Sequence, residues 1–248
     1  MNFLIYKCQL IWSSIYISLF MENQTQKKPR VLCLHGFRAS GEILKSMLQT
    51  RWPETVLEKL DMVYLDGPFP AQGKSSIEDV YDPPYYEWFQ CNEDLTEFIN
   101  FKDCVKYLED YMVKYGPFDG ILGDSQGGNL AASLPGMQNE GVALTRVPKI
   151  KFLIFISAGK FGGATMGTPE LAANAFSSPI ERPSLHFIGD KDALKPGGED
   201  LVKAFVDPVV IRHPQGHTVP TLDEKQVEVV LGFIEKIQNL TKFVLASL

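Results

Sequence analysis

A serine lies at the centre of a glycine pattern that suits nucleophilic chemistry. Gly123, Ser125 and Gly127 form a Gly-x-Ser-x-Gly motif, which follows the apolar pair Ile121–Leu122 and precedes small, helix-compatible residues. This order predicts a strand end, a tight turn with the serine at its tip, and a helix start. The glycines let strand and helix pass close together, and the helix N-terminus directs N–H groups and a positive dipole end at an oxyanion beside Ser125. The alternative is an ordinary strand-to-helix turn.

A base and an acid must accompany such a serine, the base within reach and the acid orienting it. We expect each on a loop after a later strand. His217 follows Gly216 in the loop after the last predicted strand and is the predicted base. Asp192 is the predicted acid, because it lies farther beyond its strand than Asp190 and can reach the next loop. Asp190, the competing candidate, is expected to bond to N–H groups of its own turn.

The other three histidines fit different roles. His213 ends the last predicted strand and is the alternative base. His186 alternates with apolar residues inside a strand, which is typical of a core residue with its own hydrogen bond. His35 begins a His-Gly loop directly after the first predicted strand, where we expect it to hold the loop in place.

Two backbone N–H groups are predicted to bind the oxyanion. One belongs to Phe37 in the His-Gly loop, and the other belongs to Gln126, the residue after the serine. The alternative for the His-Gly loop is that His35 only caps the strand end.

The elements that must position these residues follow an α/β pattern. Short apolar runs predict buried strands at Arg30–Leu34, Asp61–Leu65, 151–157, Ser184–Gly189 and 208–213, with a further strand leading into the serine turn. Helical spacing occurs at 93–115, after Ser125 and at 227–243. Strands that alternate with helices predict a mostly parallel central sheet with helices on both faces, the arrangement of the α/β-hydrolase fold.

A long aromatic stretch over residues 69–92 has no clear periodicity, which inside a compact domain is often functional. We predict a loop that borders the site, with Tyr86, Trp88 and Phe89 forming an apolar wall for the substrate. Phe161, in a later loop, is predicted to join them and to favour a medium or long acyl chain. The alternative is a surface loop that packs its own aromatic side chains.

Composition narrows the classes of function. The chain has 248 residues, and 45% of them are hydrophobic, which predicts one large globular domain over residues 29–248. Its net charge of −6 argues against nucleic acid or an anionic membrane as partner. Four cysteines lack metal-ligand spacing and are typical of reduced thiols in a cytoplasmic protein, with a nuclear location as a further option. No metal or organic cofactor is expected.

The first 20 residues are apolar and interrupted by Lys7. Three interpretations are open: a signal peptide without a small-x-small cleavage site, a membrane anchor weakened by polar residues, or an extension upstream of a working start at Met21. We favour the third, which places residues 1–28 outside the core. The first two would make the protein secreted or membrane-anchored.

With these segments placed, the chain resembles the FSH serine hydrolases, a family with fungal and plant members and an ovarian-tumour-suppressor-candidate esterase. The resemblance covers about residues 30–237. It rests on five segments taken together: 31–37, 87–89, 123–128, 185–192 and 216–220. It implies hydrolysis of a small carboxylic ester or thioester through an acyl-enzyme, with Ser125 as nucleophile, Asp192 as acid and His217 as base.

The residue before the serine departs from the usual pattern of such turns. The residue before the serine is usually aromatic or apolar in such turns, and here it is Asp124. Its charge should favour a protonated His217 and oppose an oxyanion if it faces the site, so we hypothesise that it tunes pH dependence or substrate choice.

Two other functions stay open. The alternatives to a general esterase are an acyl-protein thioesterase-like enzyme, which shares the Gly-x-Ser-Gln-Gly-Gly turn, and a ligand receptor on a hydrolase frame.

Overall fold

The computed structural model describes residues 28–246, with side chains to residue 240. The interpretations of the N-terminal segment lie outside these residues. In chain order the elements are β1 (Arg30–Leu34), α1 (Gly41–Arg51), α2 (Glu54–Leu57), β2 (Asp61–Leu65), β3 (Phe69–Pro70), β4 (Tyr86–Glu87), β5 (Gln90–Cys91), β6 (Phe98–Ile99), α3 (Phe101–Tyr115), β7 (Gly120–Asp124), α4 (Ser125–Asn139), β8 (Phe152–Ile156), a 3-10 turn (Glu170–Ala172), β9 (Ser184–Gly189), α5 (Lys195–Lys203), β10 (Val209–His213) and α6 (Glu224–Ala246).

A parallel sheet forms the centre of the described part of the chain, with strand order β10-β9-β8-β7-β1-β2. Its strands are apolar because both faces are covered: Leu32 and Leu34 face one core cluster with α3 and α4, and Val31 and Cys33 face the other with α1 and α6. This confirms the predicted α/β class.

The register brings the functional loops to one edge. Leu34 of β1 pairs with Gly123 of β7, and Gly189 of β9 pairs with His213 of β10. Parallel strands in register end together, so the loops after β1, β7, β9 and β10 all leave the sheet at its carboxyl edge, which is where ligands bind in open α/β sheets.

The helix predicted over residues 93–115 begins later than expected, at Phe101. Residues before it form the β5–β6 hairpin, in which the Asn92 side chain accepts hydrogen bonds from the N–H groups of Thr96 (2.8 Å) and Glu97 (3.0 Å). This local bonding of an asparagine side chain stabilises a turn in competition with the helix, although the apolar spacing suits a helix. The aromatic stretch likewise contains β3 and β4, which pair antiparallel.

Candidate active site

The serine lies on a strained turn between β7 and α4. Ser125 is the first helical residue and has a φ of +47°, which a residue with a side chain adopts only under constraint. The flanking glycines have no room for a Cβ. At Gly123 it would lie 2.5 Å from the Cα of Gly128, and at Gly127 it would collide with the carbonyl oxygen of Leu34. The Gly-x-Ser-x-Gly pattern is therefore a steric requirement of this turn.

His217 lies between the serine and an aspartate. Its Nε2 is 2.8 Å from the Ser125 Oγ, and its Nδ1 is 2.8 Å from the Asp192 Oδ2. With Nδ1–H donating to the carboxylate, Nε2 accepts from the serine hydroxyl. The second oxygen of Asp192 accepts from the Leu194 N–H at 2.8 Å, and the residue is buried. The structure thus brings together the three residues predicted as nucleophile, base and acid.

Neighbouring loops hold this arrangement. The Asp190 N–H donates to the His213 carbonyl (2.8 Å), and the Lys191 N–H donates to the Gln215 carbonyl (3.1 Å), which ties the aspartate loop to the histidine loop. From α1, Arg51 donates to the Thr218 Oγ1 (2.7 Å) and to the Val219 carbonyl (2.6 Å). The histidine loop is therefore fixed from two sides.

The remaining histidines and the competing aspartate lie away from the serine contact. His213 is buried, and His186 is packed between Phe155 and Phe205 with a 2.9 Å bond to Ser184. Burial lowers the pKa of His186 to about 3. Asp190 is exposed and pairs with Lys195 at 2.9 Å, and that hydrogen bond lowers the pKa of its carboxyl.

His35 supports the loop that follows β1. It is fully buried, its Nδ1 lies 2.7 Å from the Gly36 carbonyl, and its Nε2 lies 2.9 Å from the Gly67 N–H. A neutral imidazole satisfies both contacts, with Nδ1–H donating and Nε2 accepting. Burial lowers the pKa of His35 to about 4, which keeps it neutral. This matches the expectation that it holds the loop.

The two residues whose N–H groups are predicted to bind an oxyanion lie at the same edge of the sheet, after β1 and at the start of α4. Among residues 28–246, the Phe37 N–H has no hydrogen-bond acceptor, and the Gln126 N–H is in the first turn of α4, where helices leave N–H groups unpaired. The Gly127 N–H donates to the His35 carbonyl at 3.2 Å, which joins the two loops. Phe37 is 42% exposed, so the site is open to solvent on this side.

Three aromatic residues predicted as a substrate wall lie in the core instead. Trp88 is fully buried, and its indole N–H donates to the His35 carbonyl at 2.8 Å. Phe89 and Phe161 are each 2% exposed and pack against one another with ring centroids 5.9 Å apart. They present no open surface, because aromatic rings of this size complete the core beneath the loop. Tyr86 is half-buried and donates its N–H to the Ala39 carbonyl.

Several residues that support the site could not be identified from local sequence patterns. The Gln126 side chain accepts from the Trp88 N–H (3.0 Å) and donates to the Phe89 carbonyl (2.9 Å). Arg38 and Glu87 form an ion pair across 49 residues, and Arg51 reaches the histidine loop from 167 residues away. Nothing in the local sequence pairs such distant residues.

Asp124 lies beside the serine and against the loop after β1. Its Oδ2 would be 2.8 Å from a Cβ placed on Gly36. Burial raises the pKa of Asp124 to about 6; the nearby charges of His217 and Arg51 act against that rise, and Asp192 adds to it. Its carboxylate therefore titrates close to neutral pH.

Metal and membrane signals are both missing from the part of the chain that the structure describes. Within residues 28–246 no group of three or more His, Cys, Asp or Glu residues could hold a metal ion. None of the helices described there is long and apolar enough to cross a bilayer.

Comparison with known proteins identifies relatives over most of the chain. The sequence model described as serine hydrolase (FSH1) matches residues 21–229. An esterase of Caenorhabditis elegans is 29% identical over 236 residues, which cover 87% of this chain and 99% of that protein. An uncharacterized hydrolase of Schizosaccharomyces pombe is 29% identical over 233 residues, covering 84% of this chain, which spans only 51% of that relative's length.

Solved structures share the architecture. The crystal structure of acyl-protein thioesterase 2 from Zea mays aligns with a TM-score of 0.54 and 16% identity, covering 85% of this chain and 94% of that chain. At this identity the likeness concerns the fold alone, and that fold is the α/β-hydrolase fold predicted from the order of strands and loops.

Proposed function

The chain belongs to the serine hydrolase (FSH1) family, and from this premise we propose that it hydrolyses carboxylic esters or thioesters through an acyl-enzyme formed on Ser125. The observation that carries the proposal is the position of His217, whose two ring nitrogens are each 2.8 Å from a partner: the Ser125 hydroxyl on one side and the Asp192 carboxylate on the other. That distance is within the range of proton transfer.

The proposed first half-reaction acylates the serine. The Ser125 Oγ attacks the acyl carbon while the His217 Nε2 takes its proton, and the imidazolium is stabilised by Asp192. The carbonyl oxygen becomes an oxyanion that accepts from the N–H groups of Phe37 and Gln126. When the tetrahedral intermediate collapses, the bond to the leaving alkoxide or thiolate breaks, and that group takes the proton from His217.

Water completes the cycle. It gives a proton to His217 and attacks the acyl carbon, and the second tetrahedral intermediate releases the acid as Ser125 regains its proton. Esters and thioesters share these steps, so the leaving atom can be oxygen or sulfur. Each step balances with the residues of the chain and one water molecule.

We further propose that the protein is located in the cytoplasm. Cys33, Cys91 and Cys104 carry free thiols. Free thiols of this kind are typical of proteins kept in a reducing compartment.

The test combines a fluorophosphonate probe with turnover of p-nitrophenyl esters and acyl thioesters of increasing chain length. We expect covalent labelling and turnover in the wild type and neither in Ser125→Ala. Asp192→Asn should lower kcat by about 10²–10⁴-fold, because the imidazole loses the partner that sets its tautomer. The matched control is Asp190→Asn, two residues away in the same loop. Among residues 28–246 its carboxylate forms an ion pair with Lys195 alone, and the variant should keep wild-type kcat.

The outcomes separate the candidate functions. Labelling without turnover of any ester or thioester would contradict the hydrolase proposal and favour a receptor. Turnover restricted to acylated proteins would favour the acyl-protein thioesterase alternative. An equal fall in kcat for Asp190→Asn and Asp192→Asn would contradict the assigned acid.

A further inference from the structure

The loop after β1, residues 35–39, is held in part through its backbone carbonyl groups. We name it the oxyanion loop. The His35 carbonyl accepts from the Trp88 indole (2.8 Å), the Arg38 carbonyl accepts from the Ser75 hydroxyl (2.7 Å), and the Ala39 carbonyl accepts from the Tyr86 N–H (2.6 Å). All three donors lie in one segment, residues 67–91. Together with the Gly127 N–H, which also donates to the His35 carbonyl (3.2 Å), that segment fixes the backbone of the oxyanion loop.

An ion pair completes this attachment. Arg38, the residue directly after Phe37, has a φ of +51°. Its Nε donates to the Glu87 Oε1 at 2.8 Å, and its terminal nitrogens donate to the carbonyls of Lys74 (2.9 Å) and Gln72 (2.5 Å). The guanidinium carbon lies 4.6 Å from the centroid of the Phe37 ring. One side chain thus links the Phe37–Arg38 turn to three points of segment 67–91.

Glu87 is a buried charge, with 1% of its surface exposed. Besides Arg38, its Oε1 accepts from the Gln72 N–H (3.3 Å) and its Oε2 accepts from the Gln90 side chain (3.2 Å). A carboxylate at such depth is tolerated when it is paired and hydrogen-bonded, and removal of its partner leaves an uncompensated charge. The pair therefore specifies one geometry of the loop.

We propose that Arg38 and Glu87 are positioning residues, which hold the backbone turn at Phe37 so that its N–H points at the oxyanion. The inference rests on the proposed function, because it concerns the oxyanion that function generates. Among the described residues the Phe37 N–H has no other acceptor, whereas the carbonyls on either side of it are engaged. A preorganised donor of this kind acts on the transition state and hardly on the bound substrate.

The decisive variant is Glu87→Gln, which keeps the shape of the side chain and removes its charge. We expect kcat to fall by about 10–100-fold with KM changed by less than about 3-fold, since one misplaced oxyanion donor costs at most about 10²–10³ in kcat. A boronic acid that adds to Ser125 should lose affinity in parallel with kcat, because its tetrahedral adduct places an oxygen at the same N–H groups. Loss of structure alone would not link these two quantities.

Two further variants keep the test decisive. Ser75→Ala removes only the hydroxyl bond to the Arg38 carbonyl and should lower kcat by a smaller factor, about 3–10-fold. The matched control is Asp119→Asn. Its carboxylate pairs with Lys151 (2.8 Å) and accepts from the Arg30 N–H (2.9 Å) at the opposite edge of the sheet. Thermal unfolding should show a destabilised control whose kcat and boronate affinity are those of the wild type.

The results distinguish the inference from the function beneath it. If the wild type turns over esters and folded Glu87→Gln and Ser75→Ala keep its kcat and boronate affinity, the positioning role is overturned while the hydrolase proposal stands. If Asp119→Asn loses kcat as strongly as Glu87→Gln, the effect reports stability and the inference is likewise overturned. A wild type without labelling or turnover overturns both.

Discussion

Asp124 is the residue at which this site differs from the expected pattern. It is half-buried beside the nucleophile, and burial raises the pKa of its carboxyl from 3.8 to about 6. His217, Arg51 and Asp192 are the charged groups that act on it most strongly. Above pH 6 its negative charge favours the imidazolium that forms on His217 during catalysis, and it opposes the oxyanion. The pH–rate profile should therefore include the titration of Asp124.

The stability of Asp124→Asn relative to the wild type should increase with pH. A folded-state pKa above the unfolded value means that the wild type loses stability as pH rises from about 4 through about 6. Asn has no such titration. We expect the free energy of unfolding of the variant, relative to wild type, to increase by about 1–3 kcal/mol between pH 4.5 and pH 7.5.

Urea unfolding of both proteins across this pH range measures the difference. A relative stability that is flat with pH would contradict the buried, titrating carboxylate. On the activity side, any dependence of kcat/KM on pH that comes from the Asp124 carboxyl, with its pKa of about 6, should be absent in Asp124→Asn.

At the scale of elements, α4 carries small residues because its two ends approach other backbone closely. A Cβ on Gly127 would collide with the Leu34 carbonyl of β1, and a Cβ on Gly136, near the other end, would collide with the Ala175 carbonyl. The helix that presents Ser125 is therefore positioned by close backbone contacts near both of its ends. Glycine costs helix stability, and here close packing is the compensation.

Two glycine-to-alanine variants separate packing from helix propensity. Gly136→Ala should lower the free energy of unfolding by about 1–3 kcal/mol, since the new methyl group overlaps backbone that must move. Gly232→Ala in α6, whose Cβ would meet no atom within 4 Å, should raise it by about 0.5–1 kcal/mol. Chemical denaturation gives both values. Equal signs for the two would contradict the packing argument.

At the scale of the molecule, the sheet separates two core clusters that share its strands. Cys33 lies in the cluster under α1 and α6, and Cys104 lies in the cluster under α3. Both thiols are fully buried, and burial raises the pKa of each far above that of a free thiol. Because β1, β7 and β8 each contribute side chains to both clusters, neither layer should open without the other.

Thiol labelling tests this cooperativity. In variants that retain only Cys33 or only Cys104, we expect the free energy of exposure, from labelling by a thiol reagent, to match that variant's own global unfolding free energy within about 1 kcal/mol. A third variant, which retains only the half-buried Cys91, should react in the native state and serves as the control. A much lower exposure energy for one buried thiol would mean that its layer opens alone.

What the sequence determined by itself is local in origin. The Gly-x-Ser-x-Gly turn follows from steric rules over five residues, and the strands at 30–34, 61–65 and 184–189 follow from apolar runs that need burial on both faces. Ser125, Asp192 and His217 each follow a predicted strand, and parallel strands that end at one edge bring such residues together. These patterns suffice for the fold class and for the candidate triad.

Only the tertiary structure decided which side chains support the site. Trp88, Phe89 and Phe161 were predicted to form a substrate wall, but they fill the core. The sequence could not distinguish the two positions, because an aromatic ring is suited both to an open wall and to a closed interior. The Arg38–Glu87 pair and the Gln126 bonds to residues 88–89 join residues between 37 and 49 positions apart. Their partners are chosen by the path of the chain in space, which local spacing does not contain.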